Sequence, residues 1–376
     1  MVYPFLPVFA RAFGVDLATM SLALSARSAS GALGPVLAPL TDRRGRRFGL
    51  SLGLGLFAAG AFLAFVGPGF MAFAAALVLM TVGKYVIDPA ILAHLSDTVP
   101  YERRGRALAL TELSWSLAFI AGVPAAGFLI ARFGWRSPFL ALACLGLAGL
   151  AAVRSIMPGR TDTGTTPAAG PAGALAARES AGHRESYKAV LRSPAAMAGI
   201  AVILAVSMSN ELVNLVFGVW LEDSFGLKLA ALGAAAAVIG AAEFGGEGLV
   251  AATVDRLGKM KALMIGLAAN VLATLVLPLA GRTTATALVG LALFYLTFEY
   301  TVVSMLPVMS EILPQARATL LAFYAASFSL GRAIGSLLSP RLYGLGFPAV
   351  ALAAAALDAV AFLLLLRLRR LTAKEV

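Results

Sequence analysis

The segment from Phe48 to Gly83 reads FGLSLGLGLFAAGAFLAFVGPGFMAFAAALVLMTVG and contains no charged residue. A transmembrane helix needs about 20 consecutive apolar residues, so this segment is long enough to cross a bilayer twice. Gly67-Pro68-Gly69 lies near its centre, and such a tripeptide is typical of a tight turn. The sequence therefore predicts a hairpin of two helices inside a membrane.

Apolar blocks of this kind recur along most of the chain. Hydrophobic residues make up 60% of the sequence and charged residues 13%, with a mean hydropathy of +0.88. Soluble domains are roughly 25% charged, so this chain cannot cover itself with a polar surface, and we predict an all-α membrane protein. The predicted helices span residues 1–12, 17–41, 47–66, 70–97, 105–131, 136–157, 194–222, 229–253, 260–280, 284–312, 317–343 and 347–369.

The net charge of +11 is carried by short loops between the apolar blocks and not by a polar domain, which argues against nucleic-acid binding. Basic clusters occur at every second loop, and Lys and Arg in short loops mark the cytoplasmic side. The pattern predicts a multi-pass protein of the cytoplasmic (inner) membrane with a cytoplasmic C-terminus. The clusters are 42–47, 102–106, 154–192, 255–259, the loop around Arg317, and 367–374.

The chain divides into two similar halves, 1–157 and 194–376. The segment between them, 158–193, is rich in Pro, Gly, Thr and charge and is predicted to be a flexible cytoplasmic linker. Asp42-Arg43-Arg44-Gly45 recurs as Asp255-Arg256-Leu257-Gly258, and Phe13-Gly14 recurs as Phe225-Gly226. These landmarks predict a parallel repeat of six helices. Alignment of the halves leaves the first helix without its cytoplasmic part, so we expect a stub too short to span the bilayer.

The loop after the second predicted helix resembles the signature of the major facilitator superfamily. It reads GPVLAPLTDRRGRR over 34–47, and a weaker copy lies at 253–261. The resemblance implies two six-helix bundles with this loop as part of a cytoplasmic gate, in which an aspartate caps a neighbouring helix and arginines bind carboxylates or lipid phosphates. The implied gating residues are Asp42, Arg43, Gly45, Arg46, Asp255, Arg256 and Gly258.

The sequence GVPAAG at 122–127 resembles the glycine-proline motif of antiporters in that family. Small residues permit close helix approach, so Gly122, Pro124 and Gly127 are predicted to pack against another helix. In the fourth helix, Lys84 stands where many exporters of the family carry an arginine. Asp88 follows four residues later, which places both side chains on one face.

Ionisable residues inside membrane helices usually face the protein interior or a cavity. The resemblance implies that helices one, four, seven and ten line a central cavity, whereas helices two, five, eight and eleven form the seams between the halves. Asp358, on the twelfth helix, is expected at the periphery as a structural or lipid-facing compromise. The predicted substrate and proton path comprises Lys84, Tyr85, Asp88, Glu211, Asn214, Tyr295 and Glu299. The predicted seam residues are Arg27, Glu112, Glu243, Glu247 and Arg332.

We hypothesise that Asp88, Glu211 or Glu299 exchanges a proton during transport, since a desolvated carboxyl can carry one. Static ion pairing, for example between Lys84 and Asp88, is the alternative. Aromatic residues on helices seven, ten and eleven indicate either packing or a bulky, partly apolar substrate.

The sequence contains no nucleotide-binding loop, metal-ligand cluster or nucleophile motif, so we predict no enzyme, no metal and no cofactor. The leading interpretation is a monomeric secondary transporter that works by alternating access. It would move a small, partly hydrophobic molecule outward, with protons as coupling ions and membrane lipids as its surroundings. The alternatives are a transporter of sugars or other polar metabolites, for which Asn210, Asn214 and Tyr295 offer hydrogen bonds, a lipid translocase, and a sensor that does not transport.

Overall fold

The computed structural model describes residues 2–34, 45–99, 117–157 and 185–373. All regular structure in these ranges is helical, which confirms the predicted all-α class. Single turns of 3-10 helix precede α1 (Tyr3–Phe5), follow α2 (Gly31–Leu33) and precede α11 (Pro314–Ala316). The numbered helices are α1 (Leu6–Phe13), α2 (Leu17–Ser30), α3 (Arg46–Val66), α4 (Gly69–Thr98), α5 (Val123–Phe133), α6 (Ser137–Ile156), α7 (Pro194–Phe225), α8 (Leu229–Leu257), α9 (Lys259–Ala280), α10 (Thr284–Ile312), α11 (Arg317–Tyr343) and α12 (Phe347–Thr372).

The uncharged segment 48–83 forms most of α3 and the first half of α4, with Gly67-Pro68 as the turn between them. The two helices pack backbone to backbone through glycines. A Cβ atom at Gly53 would lie 2.8 Å from the carbonyl oxygen of Gly83, and one at Gly83 would lie 2.7 Å from that of Gly53. The predicted hairpin is therefore present, and it depends on the absence of side chains at these two positions.

Nine helices in the described ranges are long and apolar enough to cross a bilayer, namely α3, α4 and α6 to α12. The helix α1 has only 8 residues, so it is short, as the sequence suggested. Large apolar side chains such as Met71, Leu145 and Leu279 are exposed on the surface of these helices, where lipid chains can cover them. The protein is therefore a multi-pass membrane protein.

Glycines in left-handed backbone conformations mark equivalent points of the two halves. Residues with a Cβ rarely adopt positive φ values, so these positions need glycine for conformational reasons. The spacing within each pair repeats the spacing of the sequence landmarks. The pairs are Gly14 (63°) and Gly226 (63°) at the ends of α1 and α7, Gly45 (89°) and Gly258 (82°) before α3 and α9, and Gly134 (85°) and Gly346 (99°) before α6 and α12.

One end of the molecule is closed by a hydrophobic cluster that includes residues of both halves. We call this the closed end; the α1–α2, α5–α6, α7–α8 and α11–α12 loops lie there. Arg11 of α1 also reaches Glu222 of α7 at this end, with 2.6 Å between Nη1 and Oε1. The fully or nearly fully buried members of the cluster include Phe5, Phe9, Phe73 and Phe139 from the N-terminal half, and Leu212, Trp220, Phe294 and Val350 from the C-terminal half.

A second hydrophobic cluster lies within the C-terminal half and includes part of the segment predicted as a linker. Residues 185–192 form a short helix. Val190 is fully buried in this cluster, and the ring of Tyr187 lies 5.5 Å from that of Phe323 on α11. This part of the predicted linker is therefore docked on the C-terminal half; residues 158–184 lie outside the described ranges.

Candidate functional site

A buried ion pair joins α7 and α11. The Glu211 side chain is completely buried, and Nη2 of Arg332 lies 2.8 Å from its Oε2 atom. Nε of Arg332 donates a second hydrogen bond to the same oxygen at 2.9 Å. Breaking a buried pair by removal of one partner typically costs about 3–5 kcal/mol, because an uncompensated charge remains. The two helices are thus held together by groups that are costly to separate.

The other carboxylate oxygen of Glu211 accepts hydrogen bonds from both halves of the protein. The Tyr3 hydroxyl, in the turn before α1, donates to Oε1 at 2.7 Å, and Ser336 Oγ on α11 donates to it at 2.8 Å. Nη2 of Arg332 also donates to the Tyr3 hydroxyl at 3.2 Å. Tyr3 therefore connects the N-terminal half to the ion pair of the C-terminal half.

Asn214 and Tyr295 extend these contacts to α10. Nδ2 of Asn214 donates to Glu211 Oε2 at 3.2 Å, and the Tyr295 hydroxyl donates to Oδ1 of Asn214 at 2.8 Å. We call Tyr3, Glu211, Asn214, Tyr295, Arg332 and Ser336 the Glu211 network. It brings together three predicted path residues, Glu211, Asn214 and Tyr295, with Arg332, which the sequence assigned to a seam.

The seam between α2 and α11 lies beside this network. Arg27 and Arg332 approach the Tyr3 ring, with their Cζ atoms 5.4 Å and 5.6 Å from its centroid, a separation at which cation–π attraction operates. Ser25 of α2 donates to the carbonyl oxygen of Ala333 at 2.9 Å. The two arginines predicted to approach one seam thus meet at the same tyrosine.

The seam between α5 and α8 is formed by small residues and a π-helical turn, Ala118–Gly122, that precedes α5. A Cβ atom at Gly127 would lie 3.0 Å from Phe5 Cζ, and one at Gly233 of α8 would lie 3.3 Å from Pro124 Cα. Within the described residues nothing lies within 4 Å of the corresponding position at Gly122. The contact with α8 is made instead by the start of the π turn, where a Cβ atom at Gly240 would lie 2.5 Å from Phe119 Cβ, so close packing at Gly122 stays a prediction.

The acidic residues assigned to this seam are described only in part. Glu243 and Glu247 lie half-buried on α8, whereas Glu112 falls outside the described residues. Glu299, assigned to the path, lies on α10 next to α8, since a Cβ atom at Gly246 would come within 3.1 Å of its own Cβ. The structure thus places Glu299 at a helix contact within the C-terminal half.

The predicted path residues of α4 form a separate group. Lys84 and Asp88 form an ion pair one turn apart and are each a little under half exposed, which matches the static pairing considered as an alternative. The Tyr85 hydroxyl lies 3.2 Å from Ser329 Oγ of α11. Lys84 also borders a cavity of 220 Å³, which is smaller than most ligand pockets (about 300–1,000 Å³). The residues that line the cavity are Val2, Arg27, Phe57, Leu77, Met80, Thr81, Lys84, Phe139 and Leu142.

The gating residues within the described ranges lie at the end opposite the closed end. Gly45 precedes α3, which begins at Arg46. Asp255 and Arg256 are exposed in the last turn of α8, and Gly258 separates α8 from α9. Asp42 and Arg43 lie outside the described residues, so their contacts stay a prediction.

The sequence interpretation missed Tyr3 and Ser336, and of its two alternatives for Asp358, structural or lipid-facing, the lipid-facing one is wrong. Tyr3 carries no signal beyond its aromatic character. Ser336 lies four residues after Arg332 and three residues before Ser339, so the three side chains form a polar stripe on α11 that the sequence could have revealed. Asp358 is completely buried and not lipid-facing, because α12 turns this residue toward α7 and α9.

Comparison with known proteins adds a family likeness to this geometry. Residues 1–319 match the model of the Major Facilitator Superfamily. The MFS-type transporter YwfA of Bacillus subtilis is 26% identical over 97% of this chain and 86% of its own length. The inner membrane transport protein YdhP of Escherichia coli K12 is 29% identical over 41% of this chain and 40% of its own. Multidrug resistance protein 2 of Bacillus subtilis is 29% identical over 42% of this chain and 38% of its own.

Proposed function

Because the chain belongs to the major facilitator superfamily, whose members resembling it are membrane transporters, we propose that it exports a small, partly hydrophobic molecule by alternating access. We further propose that protons drive the export and that Glu211 carries the proton. The protein would act as a monomer in the inner membrane, surrounded by lipid.

The Glu211 network is the observation that carries this proposal. A charged Glu211 accepts hydrogen bonds from Tyr3 and Ser336 at Oε1 and from Arg332 at Oε2. A proton on the carboxylate removes the ion pair and turns one acceptor oxygen into a donor. If the proton binds Oε1, it displaces a donor there, and Tyr3 is the donor that links the two halves. Proton binding would therefore loosen the contact between the halves.

The closed end supplies the second part of the mechanism. The basic residues at the described ends of α8, α9 and α12, among them Arg256, Lys259 and Arg369, lie at the opposite end. By the positive-inside rule we therefore assign the closed end to the exterior and the C-terminus to the cytoplasm. In this conformation the hydrophobic cluster at the closed end separates the Glu211 network from the exterior. Separation of the halves at that end would open the network to the outside, as alternating access requires.

The surroundings of the network favour a substrate with polar and apolar parts. Asn214 and Tyr295 offer polar groups, and the ring of Phe217 lies 6.2 Å from that of Tyr295. Binding sites for such ligands combine aromatic surface with a few oriented polar groups. Multidrug resistance protein 2, a relative over two fifths of its length, supports the choice of a drug-like probe.

The test uses purified protein in liposomes, with ethidium as the probe and an imposed pH gradient. Wild type is expected to move ethidium against its concentration gradient. Glu211→Gln is expected to lose this pH-driven movement but to retain ethidium exchange in the absence of a gradient, because the amide cannot release a proton. Glu311→Gln is the matched control, since Glu311 pairs with Lys259 at the surface far from the network.

Two results would contradict the proposal. Equal pH-driven transport by wild type and Glu211→Gln would exclude Glu211 as the proton carrier. Absence of ethidium transport together with sugar counterflow, or with movement of a fluorescent phospholipid between leaflets, would replace the substrate class by one of the alternatives.

A further inference from the structure

A second buried carboxylate lies within the C-terminal half. Asp358 on α12 is completely buried. Its Oδ2 atom accepts a hydrogen bond from Nδ2 of Asn270 at 2.9 Å. Oγ1 of Thr274 lies 3.3 Å from the same oxygen, but its one proton has a closer acceptor in the carbonyl oxygen of Asn270 at 2.7 Å. Its Oδ1 atom is buried and has no hydrogen-bond partner among the described residues. Asn270 is thus the clear donor to Oδ2, whereas no hydrogen bond to Oδ1 is present among the described residues.

The groups around Asp358 come from four helices and are neutral. Oγ1 of Thr297 on α10 lies 2.9 Å from Oδ1 of Asn270 on α9; the carbonyl oxygens of Leu293 and Phe294, at 2.8 Å and 3.0 Å, compete for its one proton. Ser209 of α7 donates to the carbonyl oxygen of Ala354 at 2.9 Å, one turn before Asp358. We call Ser209, Asn270, Thr274, Thr297 and Asp358 the Asp358 cluster.

The charged groups of the neighbouring helices are directed elsewhere. On α7, Glu211 lies two positions from Ser209 and therefore on the opposite face, where it pairs with Arg332 of α11. On α9, Lys259 and Lys261 lie in the first turn, two or more helical turns before Asn270. On α10, Tyr295 and Glu299 flank Thr297, and Tyr295 donates to Asn214. Hence no cation in the described residues is seen to balance Asp358.

A carboxylate with an unsatisfied oxygen is costly in such a place. Burial of an isolated charge in a membrane interior is strongly unfavourable unless it is paired or neutralised. A neutral carboxylic acid has one oxygen that accepts hydrogen bonds and one that bears the proton. A proton on the Asp358 carboxyl would remove the buried charge and still leave Oδ2 able to accept the hydrogen bond from Asn270.

We propose that Asp358 is a second proton-binding site, which holds a proton in this conformation and releases it during the transport cycle. The inference rests on the proposed function only for the release step. Release is supported by Asn270, because its hydrogen bond to Oδ2 also stabilises the charged form. Helix α7 connects the two sites, with Ser209 on one face and Glu211 on the other.

Infrared pH-difference spectroscopy of the protein in liposomes tests the proposal without any substrate. A protonated carboxylic acid gives a carbonyl-stretch band that a carboxylate lacks. Wild type is expected to show such a band that disappears as pH rises, and Asp358→Asn is expected to lose it. Glu211→Gln should keep the Asp358 band, so failure of the proposed function at Glu211 would leave this result unaffected.

Three outcomes would overturn the proposal. The first is that Asp358→Asn removes no pH-dependent band. This includes the case in which the Asp358 band persists at every pH, because Asp358 would then be a permanently neutral structural group. The second is a band that sodium ions abolish at constant pH, which would indicate a sodium site. If Asp358→Asn does not fold, Asn270→Leu replaces it. Loss of the Asn270 donor to Oδ2 is expected to shift the band, and an unshifted band is the third.

Discussion

Tyr3 and Ser336 both donate to Oε1 of Glu211, at 2.7 Å and 2.8 Å, and this shared acceptor predicts that their loss is not additive. Removal of either hydroxyl leaves one donor on the oxygen, so Tyr3→Phe and Ser336→Ala should each destabilise the protein by about 1 kcal/mol. The double variant leaves a buried carboxylate oxygen with no donor. A buried acceptor without a donor costs about 1–3 kcal/mol. We therefore expect the double variant to lose this much more unfolding free energy than the two single variants lose together.

The measurement is reversible unfolding in mixed micelles, followed by tryptophan fluorescence, in a double-mutant cycle. Ser339→Ala combined with Tyr3→Phe is the matched control, because Ser339 donates instead to the carbonyl oxygen of Leu212 at 2.6 Å. The control pair should be additive within about 0.5 kcal/mol. If Tyr3→Phe and Ser336→Ala are equally additive, the two hydroxyls do not share the Glu211 oxygen, and the proposed link between the halves is wrong.

Two further predictions concern helix packing and pH. Gly331→Ala should destabilise the protein by about 1–3 kcal/mol through overpacking, because the added Cβ would lie 2.4 Å from the carbonyl oxygen of Leu204 on α7. Gly248→Ala is the control and should not destabilise it, since nothing lies within 4 Å of a Cβ there in the described residues. Equal unfolding curves for the two variants would contradict this reasoning. Hydrogen bonding from Thr19 lowers the pKa of Asp16 below its ordinary value of 3.8. The charged Asp16 side chain, which caps the N-terminus of α2, therefore stabilises the protein above pH 3.8, and this stabilisation is lost as the pH falls through the lowered pKa. Asp16→Asn should keep the cap and show a weaker loss of stability in acid, measured by unfolding across that pH range; an unchanged acid dependence would show that the cap does not contribute.

The helix bounds were largely accessible from the sequence. The prediction of 284–312 coincides with α10, and 260–280 differs by one residue from α9. Membrane helices satisfy their backbone hydrogen bonds internally, so each must be a long apolar run whose charges collect at its ends. Such runs are visible without knowledge of tertiary contacts.

The pairing inside the site was not accessible in the same way. Glu211 was assigned to a cavity and Arg332 to a seam, yet they bind each other. Which residues meet depends on the rotation of each helix about its axis. In α7 apolar residues lie on nearly every face, so no hydrophobic stripe fixes that rotation. The same limitation led to the placement of Asp358 at the periphery.

The opposite faces of α7 have a thermodynamic consequence. Ser209 contacts the backbone of α12, and Glu211 is bound to α11 and Tyr3, so one rigid helix is part of two polar sites. If movement of α7 changes the affinity of a site for its proton by some factor, then occupancy of that site must shift the movement by the same free energy, because coupling is reciprocal. A movement that changes both affinities therefore couples the two sites to each other. The two sites would then titrate as a cooperative pair, and the sharpness of the pH response would measure how stiff α7 is.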